Sequence, residues 1–214
     1  VNELKTICLR MGLDVWEVIE AASTKPFGFM RFEPGPGLGG HCIPIDPFYL
    51  AWRARRFGVN ARFIELAGEI NTHMPEFVVQ RVMEALNSQA KPLKGSRVLV
   101  IGVAYKPNIH ALQLTPMEKV IKRLMEMGAT ITIFDPMFIG EVVFGIQAEA
   151  SLADAVRGAD CILIGTAHRE FRGLDVNALH RLCNSPAALV DARHVVDPKE
   201  AKEAGFAYRG VGRR

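Results

Sequence analysis

The chain lacks what would mark it as a membrane-spanning, secreted or zinc-bound protein. No apolar run approaches the roughly 18 residues that a membrane helix needs, and no charged-then-apolar leader opens the sequence. The four cysteines, at positions 8, 42, 161 and 183, are far apart, with neither a CxxC pair nor Cys/His ligand spacing. That speaks against zinc and predicts free thiols in a reducing cytoplasm. The 26 basic residues exceed the 23 acidic ones by only three and form no block, which argues against nucleic acid and suits a small anionic substrate. A GxGxxG turn is absent too. So is an initiator Met: Val1-Asn2-Glu3-Leu4 starts in the middle of a helical pattern without an N-cap, which predicts a fragment of a longer protein.

What is present is an ordinary globular composition, 49% hydrophobic and 23% charged over 214 residues. That is enough for one large domain or two small ones. Apolar residues at helical spacing (Leu4, Ile7, Cys8, Met11) predict a first helix over 1–11, closed by Gly12. Asp14 is placed to cap a second helix, with Val15, Trp16, Val18 and Ile19 as its apolar residues. Residues 23–45 then read as an irregular segment longer than compact domains usually tolerate without a functional reason. A third helix is expected from Asp46 or Pro47 to Phe57. A fourth is expected over 62–86, broken by Pro75, with Phe63, Leu66, Ile70, Phe77, Val78, Val82 and Leu86 on its buried face.

The breaker-rich stretch 88–95 reads as a linker, and beyond it the period changes. Strands are expected at 97–103, 130–135, 161–165 and 188–191, separated by helices at 115–127, 151–157, 176–182 and 198–204. Strand–helix alternation of this kind predicts an α/β fold, here an all-helical region 1–87 followed by a Rossmann-like, doubly wound parallel sheet over 96–214. Such sheets bind ligands beyond the carboxyl ends of their strands. That rule points to Tyr105-Lys106, Asp135, Thr166-Ala-His168 and Asp191-Ala-Arg193.

The stretch Glu33-Pro-Gly-Pro-Gly-Leu-Gly-Gly-His-Cys-Ile-Pro-Ile-Asp-Pro-Phe-Tyr-Leu50 holds four glycines and four prolines around one cysteine. A lone cysteine is most often a small buried hydrophobe. Bare backbone at Gly37, Gly39 and Gly40 beside Cys42, however, lets another molecule come close to the thiol and makes it a candidate nucleophile. Asp46 can be a helix N-cap, a catalytic partner, or both. His41 suits a loop-fixing role better than that of a base, and Asp135 suits a strand-end cap better than a ribose ligand. Cys8, Cys161 and Cys183 fit core positions.

Gly37-Leu-Gly-Gly-His-Cys-Ile-Pro-Ile-Asp46, Gly102-Val-Ala-Tyr-Lys106 and Val190-Asp-Ala-Arg193 together resemble the UDP-glucose/GDP-mannose dehydrogenase family. The form of the cysteine loop is most similar to the UDP-N-acetylglucosamine 6-dehydrogenase branch. The resemblance covers essentially the whole chain and implies the end of a central helical domain, used for dimerisation, plus a C-terminal UDP-sugar-binding domain. The NAD-binding Rossmann domain of the family would lie outside the chain. It implies oxidation of a sugar C6 alcohol to a carboxylate with reduction of NAD, through a cysteine thiohemiacetal and thioester. Cys42 and Asp46 stand at the catalytic positions. Gly39, Gly40, Tyr105, Lys106, Arg193 and Lys25 stand at substrate-binding ones, where an Arg can grip phosphate oxygens with two N–H groups. The sequence departs from the family pattern at Ile45, where a Lys is usual, and at Gln113, where an Arg is usual. A second reading is a catalytically silent nucleotide-sugar-binding or oligomerisation module derived from the same family.

Overall fold

The computed structural model describes residues 1–213. Five helices come first: α1 (Asn2–Met11), α2 (Val15–Ser23), α3 (Cys42–Arg55), α4 (Arg62–Thr72) and α5 (Met74–Asn87). Their boundaries follow local chemistry. Gly12 takes the left-handed conformation (φ 77°) and its N–H closes α1 on Cys8 and Leu9. The Asp14 carboxylate accepts the Trp16 N–H at 2.8 Å to start α2. Pro75 stands in the first turn of α5, where its missing N–H costs nothing, and so divides α4 from α5.

The remaining elements alternate: β1 (Arg97–Ile101), α6 (Pro116–Glu126), β2 (Thr130–Phe134), a small hairpin of β3 (Val142–Val143) and β4 (Ile146–Gln147), α7 (Leu152–Val156), β5 (Cys161–Ile164), a 3-10 turn at 169–171, α8 (Val176–Leu182), β6 (Ala188–Asp191), α9 (Pro198–Glu203) and β7 (Ala207–Gly210). The five long strands pair in parallel in the order β2-β1-β5-β6-β7, so the strand order reverses between β1 and β5. This is the α/β fold with a doubly wound parallel sheet that the alternation predicts.

Both faces of the sheet are covered. On one face α5 and α6 bury Val78, Val82, Leu86, Val120 and Leu124 against Val98, Val100, Leu163 and Val190. On the other, residues of α7, α8 and α9 meet Leu99, Ile101, Ile162 and Leu189. In α6 the buried side chains Met117, Val120, Ile121 and Leu124 are spaced i, i+3, i+4, i+7, each worth roughly 1.5–3 kcal/mol of transfer free energy. The α1–α2 hairpin is tied to the end of the chain instead. Val15 N–H donates to Gly212 O at 3.1 Å, Trp16 Nε1–H to Val211 O at 3.2 Å, and Arg213 pairs with Asp14.

Three expectations fail in the helical part. In α1, Leu4, Ile7 and Met11 are exposed; of that stripe only Cys8 is buried, alongside Asn2, Lys5 and Leu9. The Lys5 ammonium lies over the Phe77 ring and the Asn2 amide bonds Asn71, long-range partners that a hydrophobic period does not register. In α4, Phe63 is 89% exposed, Leu66 is also exposed, and no residue of the helix is buried. In α3 the helix starts at Cys42 rather than at Asp46 or Pro47. Gly40 (φ 81°) turns the chain, and Pro44, in the first turn, has no N–H to lose. Pro47 therefore sits inside α3 and leaves the Ile43 carbonyl without its usual donor. Of the other thiols, Cys8 and Cys161 are buried as expected, whereas Cys183 is only half-buried.

Candidate functional site

The carboxyl ends of the strands at the reversal point are built by side chains that fold inward. Asp135, fully buried after β2, accepts Val103 N–H at 2.7 Å and Ala104 N–H at 3.1 Å on Oδ2, and Met137 N–H at 2.9 Å on Oδ1. Burial alone would raise its pKa, but the bonds from His168, Val103 and Met137 outweigh it and hold the carboxyl below its usual range. His168, also fully buried, accepts Asn108 N–H at 2.9 Å on Nδ1. Because Nδ1 accepts, the ring proton is on Nε2, which donates to Asp135 at 3.2 Å. Thr166 Oγ1–H donates to Ala104 O at 2.6 Å and Thr115 Oγ1–H to Val103 O at 2.8 Å. Asp191, the last residue of β6, accepts the N–H groups of Arg193, Val195 and Val196 at 2.7–2.9 Å. Burial nevertheless pushes its pKa up, against those three bonds. Both acids therefore serve as strand-end caps, and neither is free for a ligand.

At these ends Lys106 is exposed, whereas Tyr105 and Arg193 are half-buried. The Lys106 ammonium sits 5.4 Å from the centroid of the Tyr105 ring and is otherwise exposed. The Arg193 Nε–H donates to Gly165 O at 3.1 Å, which orients the guanidinium and leaves its terminal nitrogens for another partner. Burial lowers the Arg193 pKa, while Glu33 and Asp191 pull it back up.

The glycine loop lies across these strand ends. A Cβ on Gly35 would stand 2.7 Å from an Arg193 terminal nitrogen. A Cβ on Gly39 would stand 2.7 Å from the Tyr105 Cβ and 3.2 Å from Leu114 O, and one on Gly40 would stand 3.1 Å from the Tyr105 ring. The backbone space at 39 and 40 is thus filled by the chain's own Tyr105. Gly40 N–H donates to Gln113 O at 2.8 Å, and Gly35 N–H to Asn2 Oδ1 at 3.1 Å. Asn2 in turn donates to Asn71 Oδ1 at 2.7 Å, which fixes the start of the loop from the helical side.

Two residues after Gly40 comes Cys42, which is exposed where the other three cysteines are buried or half-buried. It is the first residue of α3, at the positive end of the helix dipole, where negative charge is favoured. Asp46 is exposed one turn further along the same face. His41 precedes the helix without capping it through its side chain, although its carbonyl accepts Ile45 N–H at 3.1 Å. Beside this face, and not lined by Cys42 or Asp46, a cavity of about 590 Å³ opens between α3, α4 and the start of α6, walled by Leu38, Pro44, Phe48, Phe63, Leu114 and Pro116.

The structure thus brings Gly39 and Gly40 onto Tyr105 with Lys106 beside its ring, sets Arg193 under Gly35 of the same loop, and puts Cys42 and Asp46 on the helix that continues it. Lys25 stands apart: it is exposed, with its ammonium 5.4 Å from the centroid of the Phe27 ring. One supporting pair escapes sequence reasoning. Asn2 and Asn71 act on the loop across the chain and carry no local signal. His168 is flagged only by standing beyond a strand.

NAD, the cofactor implied by the sequence resemblance, is not matched by any cradle among the described residues. The β1 turn has its glycine, Gly102 (φ 80°), but a Cβ there would meet Thr166 O at 2.7 Å, so the chain itself fills the space a pyrophosphate would need. At the start of α6, the Thr115 hydroxyl takes Met117 N–H at 3.4 Å and Pro116 has no N–H to offer.

Comparison with known proteins identifies the family. The family model for the central domain of the UDP-glucose/GDP-mannose dehydrogenase family matches residues 1–73, and the model for that family's UDP binding domain matches residues 99–198. A UDP-N-acetyl-D-mannosamine dehydrogenase of Methanococcus maripaludis is 31% identical over 99% of this chain and 47% of its own length. A UDP-N-acetyl-D-glucosamine 6-dehydrogenase of Pseudomonas aeruginosa is 31% identical over 92% of this chain and 46% of its own. The solved structure of a UDP-D-ManNAc dehydrogenase from Pyrococcus horikoshii superposes with a TM-score of 0.88 at 29% identity, covering 99% of this chain and 47% of that one. The chain spans about half the length of the relatives it matches. With both family models matching in order along it, the chain belongs to the UDP-glucose/GDP-mannose dehydrogenase family.

Proposed function

We propose that this chain is the substrate-binding and thiol-bearing part of an NAD-dependent UDP-sugar 6-dehydrogenase acting on UDP-N-acetylglucosamine in the cytoplasm. Residues 1–87 act as the central helical unit and 96–214 as the UDP-sugar unit, with α5 serving both. The observation that carries the reading is the glycine loop: it packs on Tyr105 and Arg193 at the strand ends and runs straight into the exposed Cys42. Arg193 and Lys106 hold the diphosphate, and Tyr105, packed under Gly39 and Gly40, shapes the floor.

The Cys42 thiolate adds to the C6 aldehyde, the C–S bond forms, and the carbonyl oxygen takes a proton to give a thiohemiacetal. At the later thioester, Asp46 orients and deprotonates the water that releases the carboxylate and restores the thiol. The oxidising equivalents come from NAD, bound outside the described residues, and this chain by itself is expected not to reduce it. The test is turnover by the dehydrogenase that contains this chain, given UDP-N-acetylglucosamine and NAD. Cys42→Ser is expected to cut acid formation by about 10³-fold or more, and undiminished acid formation by that variant would contradict the mechanism. A second reading, the mannosamine epimer as substrate, is favoured by the names of the Methanococcus and Pyrococcus relatives, and rates with the two sugars side by side decide between them.

The exposed apolar side chains of α1, α3 and α4, among them Leu4, Ile7, Trp52 and Phe63, support a homodimer or larger assembly through the helical part.

A further inference from the structure

Tyr105, Lys106 and Pro107 are held between two backbone N–H groups that lead to the same buried pair. On one side Ala104 N–H donates to Asp135 Oδ2 at 3.1 Å. On the other, Asn108 N–H donates to His168 Nδ1 at 2.9 Å. His168 Nε2–H closes the circuit on Asp135 Oδ2 at 3.2 Å. The two side chains are fully buried, so the circuit is shielded from competing water. The far anchor is strained: Asn108 is in the left-handed conformation (φ 61°) and is kept there from both ends, since its Oδ1 accepts Arg169 N–H at 2.8 Å. The imidazole is fixed in turn by Phe171, edge-on at 5.3 Å between ring centroids. A loop lysine with no such anchor would sample many positions and bind a diphosphate with a corresponding entropic cost.

We propose that His168 is a positioning residue for the nucleotide-sugar site, clamping the Tyr105–Asn108 turn through the Asn108 N–H so that Tyr105 and Lys106 are pre-set for the diphosphate. This rests on the reading of Tyr105, Lys106 and Arg193 as diphosphate contacts. His168 touches no substrate in this role, and it acts through the backbone of Asn108.

The two nitrogens have separable jobs, and substitution can keep one at a time. In His168→Asn the amide oxygen stands near the place of Nδ1 and still accepts the Asn108 N–H. In His168→Gln the amide nitrogen reaches towards Asp135 but the acceptor for Asn108 is gone. His168→Leu removes both. Titration of this chain with UDP, with melting temperatures taken in parallel, is expected to show binding about tenfold weaker for His168→Leu and His168→Gln. For His168→Asn the expected loss is within about threefold, although it melts no higher than His168→Gln. A purely structural residue would instead give affinity losses that follow the melting temperatures. That pattern, or UDP binding by His168→Leu within about twofold of wild type, would overturn the proposal.

Lys106→Ala and Arg193→Ala separate the two layers. If the wild type binds UDP and these variants do not weaken it, the diphosphate reading fails and takes the clamp with it. If they weaken it and His168→Leu does not, only the clamp fails. Amide exchange in the wild type needs no variant to fold: Asn108 N–H is expected to exchange far more slowly than an unprotected amide, and free exchange there would overturn the clamp.

Discussion

The sheet region and the helical region treat their apolar residues in opposite ways. From α5 onward the aliphatic side chains close on one another: Val98, Val100, Leu124, Leu163 and Val190 form one layer and Leu99, Ile162 and Leu189 the other, all fully buried. In α1, α3 and α4 the pattern inverts. Leu4, Ile7, Trp52 and Phe63 face outward, and α1 buries a lysine and an asparagine, while α2 closes Val15, Trp16 and Ile19 with Cys8 into a small core of its own. The candidate nucleophile is on the second kind of surface and the candidate phosphate ligands on the first. The sheet completes its own core and carries the candidate phosphate ligands, whereas the helices carry the candidate nucleophile and an unfinished apolar face.

Three substitutions test that contrast, in order of expected size. Leu124→Ala removes a fully buried side chain between α5 and the sheet. It is expected to lower unfolding free energy by about 2–5 kcal/mol in urea denaturation. A loss below about 1 kcal/mol would mean that the sheet core is not the stabilising half.

Lys5→Met probes the buried lysine of α1. Burial, then the charge of Arg81, lowers the Lys5 pKa to about 7. Below pH 7 the ammonium is charged in both the folded and unfolded chain, so the folded state bears the full desolvation cost. Between pH 7 and about 10.5 the unfolded lysine keeps its proton while the folded one sheds it, so wild-type stability rises with pH. Lys5→Met is therefore expected to stabilise the chain by about 1–3 kcal/mol at pH 6 and by progressively less towards pH 10. A gain that does not shrink with pH would mean that Lys5 is not the titrating group.

The smallest expected effect on stability is Phe63→Ser, within about 0.5 kcal/mol, because the ring is 89% exposed. Its effect should appear in assembly, as a shift towards monomer in sedimentation velocity. An unchanged association state together with a large stability loss would reverse both expectations.

How much of this was legible in sequence follows the same division. Strands such as Val98–Ile101 and Cys161–Ile164 are short apolar runs bounded by breakers, and Thr115-Pro116 is a helix start written in two residues, so the sheet region can be read locally. The faces of α1 and α4 could not be. Periodicity gives the stripe of Leu4, Ile7 and Met11 but not which way it turns, and that is set by Lys5 meeting Phe77 and Asn2 meeting Asn71. At the site, the glycine loop and the strand ends announce themselves. The start of α3 at Cys42 does not, because Pro47 reads as a first-turn proline and Asp46 as a cap. The clamp of Asp135, His168 and Asn108 was visible only as two polar residues beyond strands, since its meaning lies in bonds that span 31 and 60 residues.

In the proposed function the Cys42 thiol stands beside the sugar of a nucleotide-sugar whose diphosphate is held at Tyr105, Lys106 and Arg193. The most direct test is the rate at which iodoacetamide alkylates each cysteine of this chain, read by peptide mass spectrometry, with and without saturating UDP-N-acetylglucosamine. The sugar nucleotide is expected to slow alkylation of Cys42 by about tenfold or more and to leave Cys183 unaffected. Alkylation of Cys42 at the same rate in the saturated protein would contradict it.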